Sequence, residues 1–110
     1  MDKRTADALE ASIAHWQENV AAETPDDASV NGTDCALCRI FFNGSTSDCC
    51  SGCPVQVRTG RSYCGGTPYE SAADAFDEWF IGVHGARAAW RTAARAELEF
   101  LISLRNETSP

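Results

Sequence analysis

Long hydrophobic runs are missing from this 110-residue chain, and its large apolar side chains are few. No stretch approaches the roughly 20 apolar residues that a membrane-spanning helix needs. The hydrophobic fraction of 44% is rich in alanine, which buries little surface per residue. A single core is adequate but not generous at this length. We therefore expect one domain, residues 1–110, that an additional element such as a bound metal helps to stabilise.

The usual signatures of catalysis are also missing. The chain contains no G-x-G-x-x-G, P-loop, H-E-x-x-H or G-x-S-x-G motif. A nucleophilic thiol needs a base within hydrogen-bond reach, and the only histidines are His15 and His84. We interpret both as packing or capping residues, with a role as a fourth metal ligand as the minor alternative. We expect that the protein is not an enzyme.

Basic residues are scarce, since 9 Lys and Arg stand against 16 Asp and Glu, for a net charge of −7. This balance disfavours binding to a nucleic-acid backbone, which depends on cations meeting phosphates. Arg87, Arg91 and Arg95 follow one another by four residues and share one side of a predicted helix. We expect them to pair with acidic faces of the other helices, each exposed pair contributing about 0–1 kcal/mol. The alternative is a nucleic-acid-binding surface that includes Arg39, Arg58 and Arg61.

An apolar signal-peptide core is absent from the charged segment Met1–Asp7. We therefore expect a cytosolic protein, in which a group of thiols binds metal more often than it forms disulfides. Three disulfides in a secreted protein are the alternative.

Cysteine, in contrast, is abundant: six residues lie between positions 35 and 64. Two C-x2-C pairs are separated by eleven residues, a spacing typical of a tetrahedral zinc site. The turn within such a pair brings two thiolates together and points backbone amides at them. The metal ligands that the spacing favours are Cys35, Cys38, Cys50, Cys53 and Cys64. These are five candidates for four positions, and Cys49 is interpreted as a bystander.

Zinc is the cofactor that this ligand set predicts, and an iron–sulfur cluster is the alternative. The dipeptide Cys53-Pro54 is similar to the Cys-Pro ending of bacterial ferredoxin motifs. A redox role of the thiols themselves would be expected in a βαβ context, and no such alternation is visible.

The first part of the chain has helical periodicity. Apolar residues at spacings of four, three and four predict a helix over 5–23, with Thr5 as its N-cap. The cysteine-rich segment follows over 35–66, and within it residues 39–42 and 55–58 are candidates for a short β-hairpin. We predict a mainly α fold, with three helices around a metal-stapled irregular insert.

We predict a pair of helices over residues 67–105, the last part of the chain. Thr67 fits an N-cap, Pro68 fits the first helical position, and Glu70 completes a capping box. A break at His84-Gly85 separates this helix from the next one. The side chains that the second helix is expected to bury are Ala73, Phe76, Phe80 and Val83, with Trp79 beside them.

The cysteine motifs occur in a recognisable order. Cys-Ala-Leu-Cys, Cys-Ser-Gly-Cys-Pro-Val and Cys-Gly-Gly-Thr-Pro-Tyr follow an Ile-Ala-His-Trp sequence that ends at Trp16. Over residues 13–69 this order resembles small cysteine-rich proteins encoded by bacteriophages and prophages, although the doubled Cys49-Cys50 departs from their pattern. The resemblance implies a bacterial cytoplasmic setting and the same five cysteines as the metal set, and it names no reaction.

These observations lead to three hypotheses of function. The first is a non-catalytic, metal-stabilised protein that binds a host or phage protein as a regulator or inhibitor, for example of a nucleic-acid machine or a defence system. The second is a small nucleic-acid-binding zinc module. The third is an iron–sulfur or thiol redox sensor.

Overall fold

Three α-helices make up most of the part of the chain that the computed structural model describes, residues 3–30 and 68–108. They are α1 (Lys3–Ala21), α2 (Tyr69–Phe80) and α3 (Ala86–Thr108). A short 3-10 turn, Pro25–Asp27, follows α1. The prediction of a mainly helical fold with three helices is confirmed, and the described ranges contain no strand. The predicted hairpin and the rest of the cysteine-rich segment lie outside the described residues.

Helix α1 begins two residues before the predicted N-cap. Lys3 Nζ donates to Asp7 Oδ2 over 2.9 Å, an (i, i+4) pair of the kind that supports a first turn. Thr5 therefore lies inside the helix and is buried, so its predicted capping role was wrong. At the other end, Ala22 N–H donates to the Asn19 carbonyl over 3.3 Å. This bond spans three residues, as in a 3-10 turn, and the helix ends there, before Pro25.

Helix α2 begins at Tyr69, and Pro68, which was predicted at the first helical position, is its N-cap residue. Pro68 has helical torsions (φ −63°, ψ −9°), and its carbonyl accepts from Ala72 N–H over 3.0 Å. Thr67, the predicted cap, lies outside the described residues. The positive φ values of Gly82 (87°) and Gly85 (79°) then allow the tight reversal into α3.

Helix α3 packs against both other helices. Near its C-terminal end, Arg105 Nη1 lies 3.0 Å from Glu10 Oε1. Near its N-terminal end, Trp90 Nε1 donates to the Asn19 carbonyl over 3.1 Å. Because late residues of α3 meet early residues of α1, the two helices are antiparallel.

Trp90 is the centre of the core and is fully buried. Its ring centroid lies 5.9 Å from that of Trp16, 5.6 Å from that of Phe76 and 5.8 Å from that of Trp79. Aromatic pairs at such distances contribute about 0.5–1.5 kcal/mol beyond the area they bury. One aromatic cluster thus joins all three helices.

The buried face of α2 differs from the predicted one. Ala72 and Ala75 are buried, whereas Phe80 and Val83 are 65% and 47% exposed. The apolar arc of this helix is wider than the arc that α3 covers. Moreover, α2 ends at Phe80, and the turn at Gly82 carries Val83 away from the core. The prediction that Phe80 and Val83 are buried was therefore wrong.

A carboxylate occupies the core stripe of α3. Residues three and four apart along this helix are buried, namely Ala86, Trp90, Ala94, Glu97, Leu101 and Leu104. Glu97 is only 4% exposed, although carboxylates are seldom buried without polar company. The stripe by which α1 packs on α3 is also partly polar, since Thr5 and Ser12 are buried in it.

Candidate functional site at the ends of the cysteine segment

The residues predicted to bind metal or nucleic acid lie outside the described part of the chain. They are Cys35, Cys38, Cys50, Cys53, Cys64, Arg39, Arg58 and Arg61. The structure does place the two points at which their segment leaves and rejoins the helical part, Val30 and Pro68. The side chains around these points form the candidate site.

Asn19 fixes the chain just before it enters the segment. Its side chain is buried in the last turn of α1, and its Nδ2 donates to the Ser29 carbonyl over 2.9 Å. In return, Ser29 N–H donates to Asn19 Oδ1 over 3.1 Å. The amide therefore satisfies both backbone groups of Ser29, as a neighbouring strand would.

His15 adds a second donor to the same carbonyl. Its Nε2 lies 3.0 Å from the Ser29 oxygen, and a carbonyl oxygen only accepts, so His15 must carry a proton on Nε2. The His15 ring also meets Trp16 edge to face, with centroids 6.2 Å apart. The packing role predicted for this histidine agrees with its contact with Trp16, whereas its hydrogen bond to Ser29 was not predicted.

Tyr69, the first residue of α2, connects the two ends of the segment. Its hydroxyl donates a hydrogen bond to the Val30 carbonyl, while its ring meets that of Trp16 edge to face, with centroids 6.2 Å apart. Thirty-nine positions separate the two bonded residues along the chain. We refer to the set His15, Asn19, Ser29, Val30 and Tyr69 as the anchor network.

The anchor network holds together the two points of the chain, Val30 and Tyr69, that flank residues 31–67. Closing a loop costs entropy that grows slowly with its length, and here aromatic packing and backbone hydrogen bonds made by the helices meet that cost. A ligand set that must converge on one ion would start from chain ends that are already together. The anchor network can thus position the two ends of the cysteine segment, but it does not itself provide a reactive group.

Metal-binding groups are not found among the helices themselves. Within residues 3–30 and 68–108, no three His, Cys, Asp or Glu side chains stand close enough to hold an ion. His15 is engaged in the anchor network, and His84 is exposed in the turn between α2 and α3.

The charged faces of the helical part are uneven. Four carboxylates of α2 are exposed, namely Glu70, Asp74, Asp77 and Glu78. On α1, Lys3 Nζ donates a hydrogen bond to Asp7, and this bond, together with the negative charge of Asp7, raises the pKa of Lys3 above its ordinary value. Exposed carboxylates also lie near the end of α1 and in the turn after it, namely Glu18, Glu23, Asp26 and Asp27, so α2 offers one of two acidic surfaces to a partner.

Arg87, Arg91 and Arg95 are exposed on α3. Within the described ranges, none of them forms an ion pair with a carboxylate of α1 or α2. The expectation that they pair with those helices was wrong for this part of the chain. Arg105 takes that role instead by binding Glu10.

The anchor network was missed at the sequence level, although one signal was present. Asn19 lies three residues after Trp16 and continues the buried stripe of α1. A polar residue in such a stripe is expected to find hydrogen-bond partners, but its partner, Ser29, lies ten residues away, beyond the 3-10 turn.

None of the helices in the described ranges has the length and apolar character that crossing a membrane requires. Comparison with models of known protein families, with curated proteins and with solved structures finds no match for this chain.

Proposed function

We propose that this protein is a non-catalytic, metal-stabilised binding protein that regulates or inhibits a host or phage protein. The observation that carries the proposal is the hydrogen bond of Tyr69 to Val30, because it brings together the two ends of a segment that bears all six cysteines. A helical base that holds together the two ends of a cysteine-rich segment suits a small protein that presents a fixed surface.

The metal in this proposal is zinc, bound by four of Cys35, Cys38, Cys50, Cys53 and Cys64. Thiolate sites of this kind contribute roughly 10 kcal/mol or more to the folding of a small domain. That contribution would offset a core in which alanine occupies many buried positions, among them Ala8, Ala72, Ala75, Ala86 and Ala94.

The partner is expected to carry a basic surface. Glu70 and Asp77 are both exposed on α2, and they are seven residues apart, so they share one side of the helix. Opposite charges on a partner would accelerate the encounter and orient it. Proteins that handle nucleic acid, including those of bacterial defence systems, present basic surfaces of this kind.

Capture from bacterial lysate tests this proposal. The wild-type protein should recover a specific basic protein, and the variant Glu70→Lys/Asp77→Lys should lose it. The matched control is Glu18→Lys/Glu23→Lys, which makes the same charge change at exposed positions near the end of α1 and should retain the partner. No specific partner, either from uninfected or from phage-infected cells, would contradict the proposal.

A second candidate function rests on the arginines of α3. Arg87, Arg91 and Arg95 are exposed and form no ion pair within the described ranges, so they are available to phosphates together with Arg39, Arg58 and Arg61. Gel shifts with single- and double-stranded probes at low salt test this function. A shift that Arg87→Ala/Arg91→Ala abolishes would favour it, and no shift at micromolar protein would exclude it.

A further inference from the structure

An open groove runs between α2 and α3 on the side away from the aromatic cluster. Its volume is about 710 Å³. Small side chains line it, among them Ser71, Ala75, Ala88, Ala89, Thr92 and Ala93. Because none of the described residues places a long side chain in the groove, another helix pair could approach its floor closely and fill it ridge into groove.

Charges of opposite sign border this groove. Residues three and four apart lie side by side on a helix. Asp74 and Glu78 therefore border the groove on α2, next to Ser71 and Ala75. By the same rule Arg91 and Arg95 border it on α3. All four are exposed, and none forms an ion pair within the described ranges.

We propose that this groove is the interface of a homodimer, in which the groove of a second copy lies face to face with it. The argument is charge complementarity. A surface with an acidic border on one side and a basic border on the other is complementary to itself under a two-fold rotation, as the isologous interface of a dimer requires.

The borders also select one orientation of the two-fold axis. If the axis lies in the interface and is perpendicular to the helices, α2 faces α2 of the second copy, and the acidic borders face each other. If the axis lies in the interface and is parallel to the helices, α2 faces α3 of the second copy. Asp74 and Glu78 then face Arg91 and Arg95 on both sides of the interface. Only the second arrangement is attractive.

The same orientation accounts for an exposed apolar turn. Phe80, Ile81 and Val83 are 65%, 75% and 47% exposed at the junction of α2 and α3. With the axis along the helices, the two copies point the same way and their turns lie side by side, so these side chains can be covered. Removal of this apolar surface from water would favour the association.

The net charge of −7 makes two copies repel each other. This repulsion acts over longer distances than the attraction between the acidic and the basic borders. Salt screens charges beyond about 8 Å at physiological ionic strength. Contacts between the borders are closer than this, so they retain more of their strength than the repulsion between whole chains.

Molar mass measured by light scattering and sedimentation, in the presence of TCEP to prevent disulfides between chains, is the first test. The full chain as purified should have twice the mass of one chain, 11.9 kDa, and should dissociate on dilution. A mass of one chain at every concentration up to several hundred micromolar would overturn the proposal.

A charge exchange tests the borders themselves. Asp74→Arg/Glu78→Arg and Arg91→Glu/Arg95→Glu should each weaken self-association about tenfold or more, because like charges then face each other. Mixed in equal amounts, the two variants should form a heterodimer at least as tight as the wild type. Glu18→Arg/Glu23→Arg, a control away from the groove, should leave the dimer unchanged. A dimer that survives either border variant would overturn the proposal.

Orientation is tested with a photo-crosslinking amino acid. Placed at Ile81, it should link the two copies of the chain through their turns. Placed at Ala14, which is exposed on α1, it should not. Crosslinking from Ala14 but not from Ile81 would overturn the arrangement, and a partner protein crosslinked in place of the second copy would do the same.

Discussion

Asn19 shows at the scale of a single residue how much of this fold depends on one polar side chain. It is 1% exposed, its amide satisfies both backbone groups of Ser29, and its own carbonyl accepts from Trp90. A buried polar group stabilises when its partners are present and costs free energy when they are removed. Asn19 therefore links α1, α3 and the entry to the cysteine segment.

Replacement of Asn19 by alanine should lower the free energy of unfolding by roughly 1–3 kcal/mol, because Ser29 N–H loses its partner. Urea unfolding followed by circular dichroism measures the change. Gln17→Ala, at an exposed position of α1, is the matched control and should stay within about 0.5 kcal/mol of the wild type. Equal effects of the two substitutions would refute the role of Asn19.

Replacement of Tyr69 by phenylalanine removes one hydroxyl and leaves the packing on Trp16 in place. The loss should be about 1 kcal/mol, which corresponds to about fivefold in zinc affinity if the closed segment holds the ion. A chelator competition measures it. Phe100→Leu, which alters the core away from the anchor network, should lower stability and leave zinc affinity unchanged. If both variants lose zinc equally, the network does not position the segment.

At the scale of the elements, α3 organises the helical part that the structure describes, because among these three helices it alone packs extensively on both others. Its residue Trp90 is fully buried and contacts an aromatic ring of α1 and two rings of α2. A change there should affect every helix at once.

Trp90→Ala should cost roughly 3–5 kcal/mol, a large part of the 5–15 kcal/mol that is typical of a domain. Thermal unfolding should then begin near room temperature, with loss of helical signal. Phe80→Ala is the comparison, since Phe80 is 65% exposed and should cost much less. A mild effect of Trp90→Ala would show that the aromatic cluster is not the core.

Periodicity was sufficient to predict the three helices, because the 3.6-residue repeat is a local property. It could not predict the buried face of α2, since that depends on which arc α3 covers. Periodicity could not predict the anchor network either, because Tyr69 and Val30 are neighbours only after the chain has folded. Glu97 was missed because a carboxylate in a core stripe contradicts the pattern by which cores are recognised.

At the scale of the whole molecule, we assign different roles to the helices and to the cysteine segment. The helices supply an aromatic core, an anchor network and charged outer faces. In the function that we propose, the cysteine segment between Val30 and Pro68 would supply metal ligands, and the bound metal would compensate for a core rich in alanine. This division predicts that removal of the metal would lower the stability of the helices as well, because the segment's ends are bonded to α1 and α2.

The most direct test of this account is the metal content of protein purified without oxygen or chelator, measured by elemental analysis together with an absorption spectrum. The account predicts one zinc per chain and no visible colour. Iron, together with the visible absorption of an iron–sulfur cluster, would instead favour the hypothesis of a redox sensor. No metal, with thiols that react only after reduction, would contradict the central claim, because the six cysteines would then be disulfides.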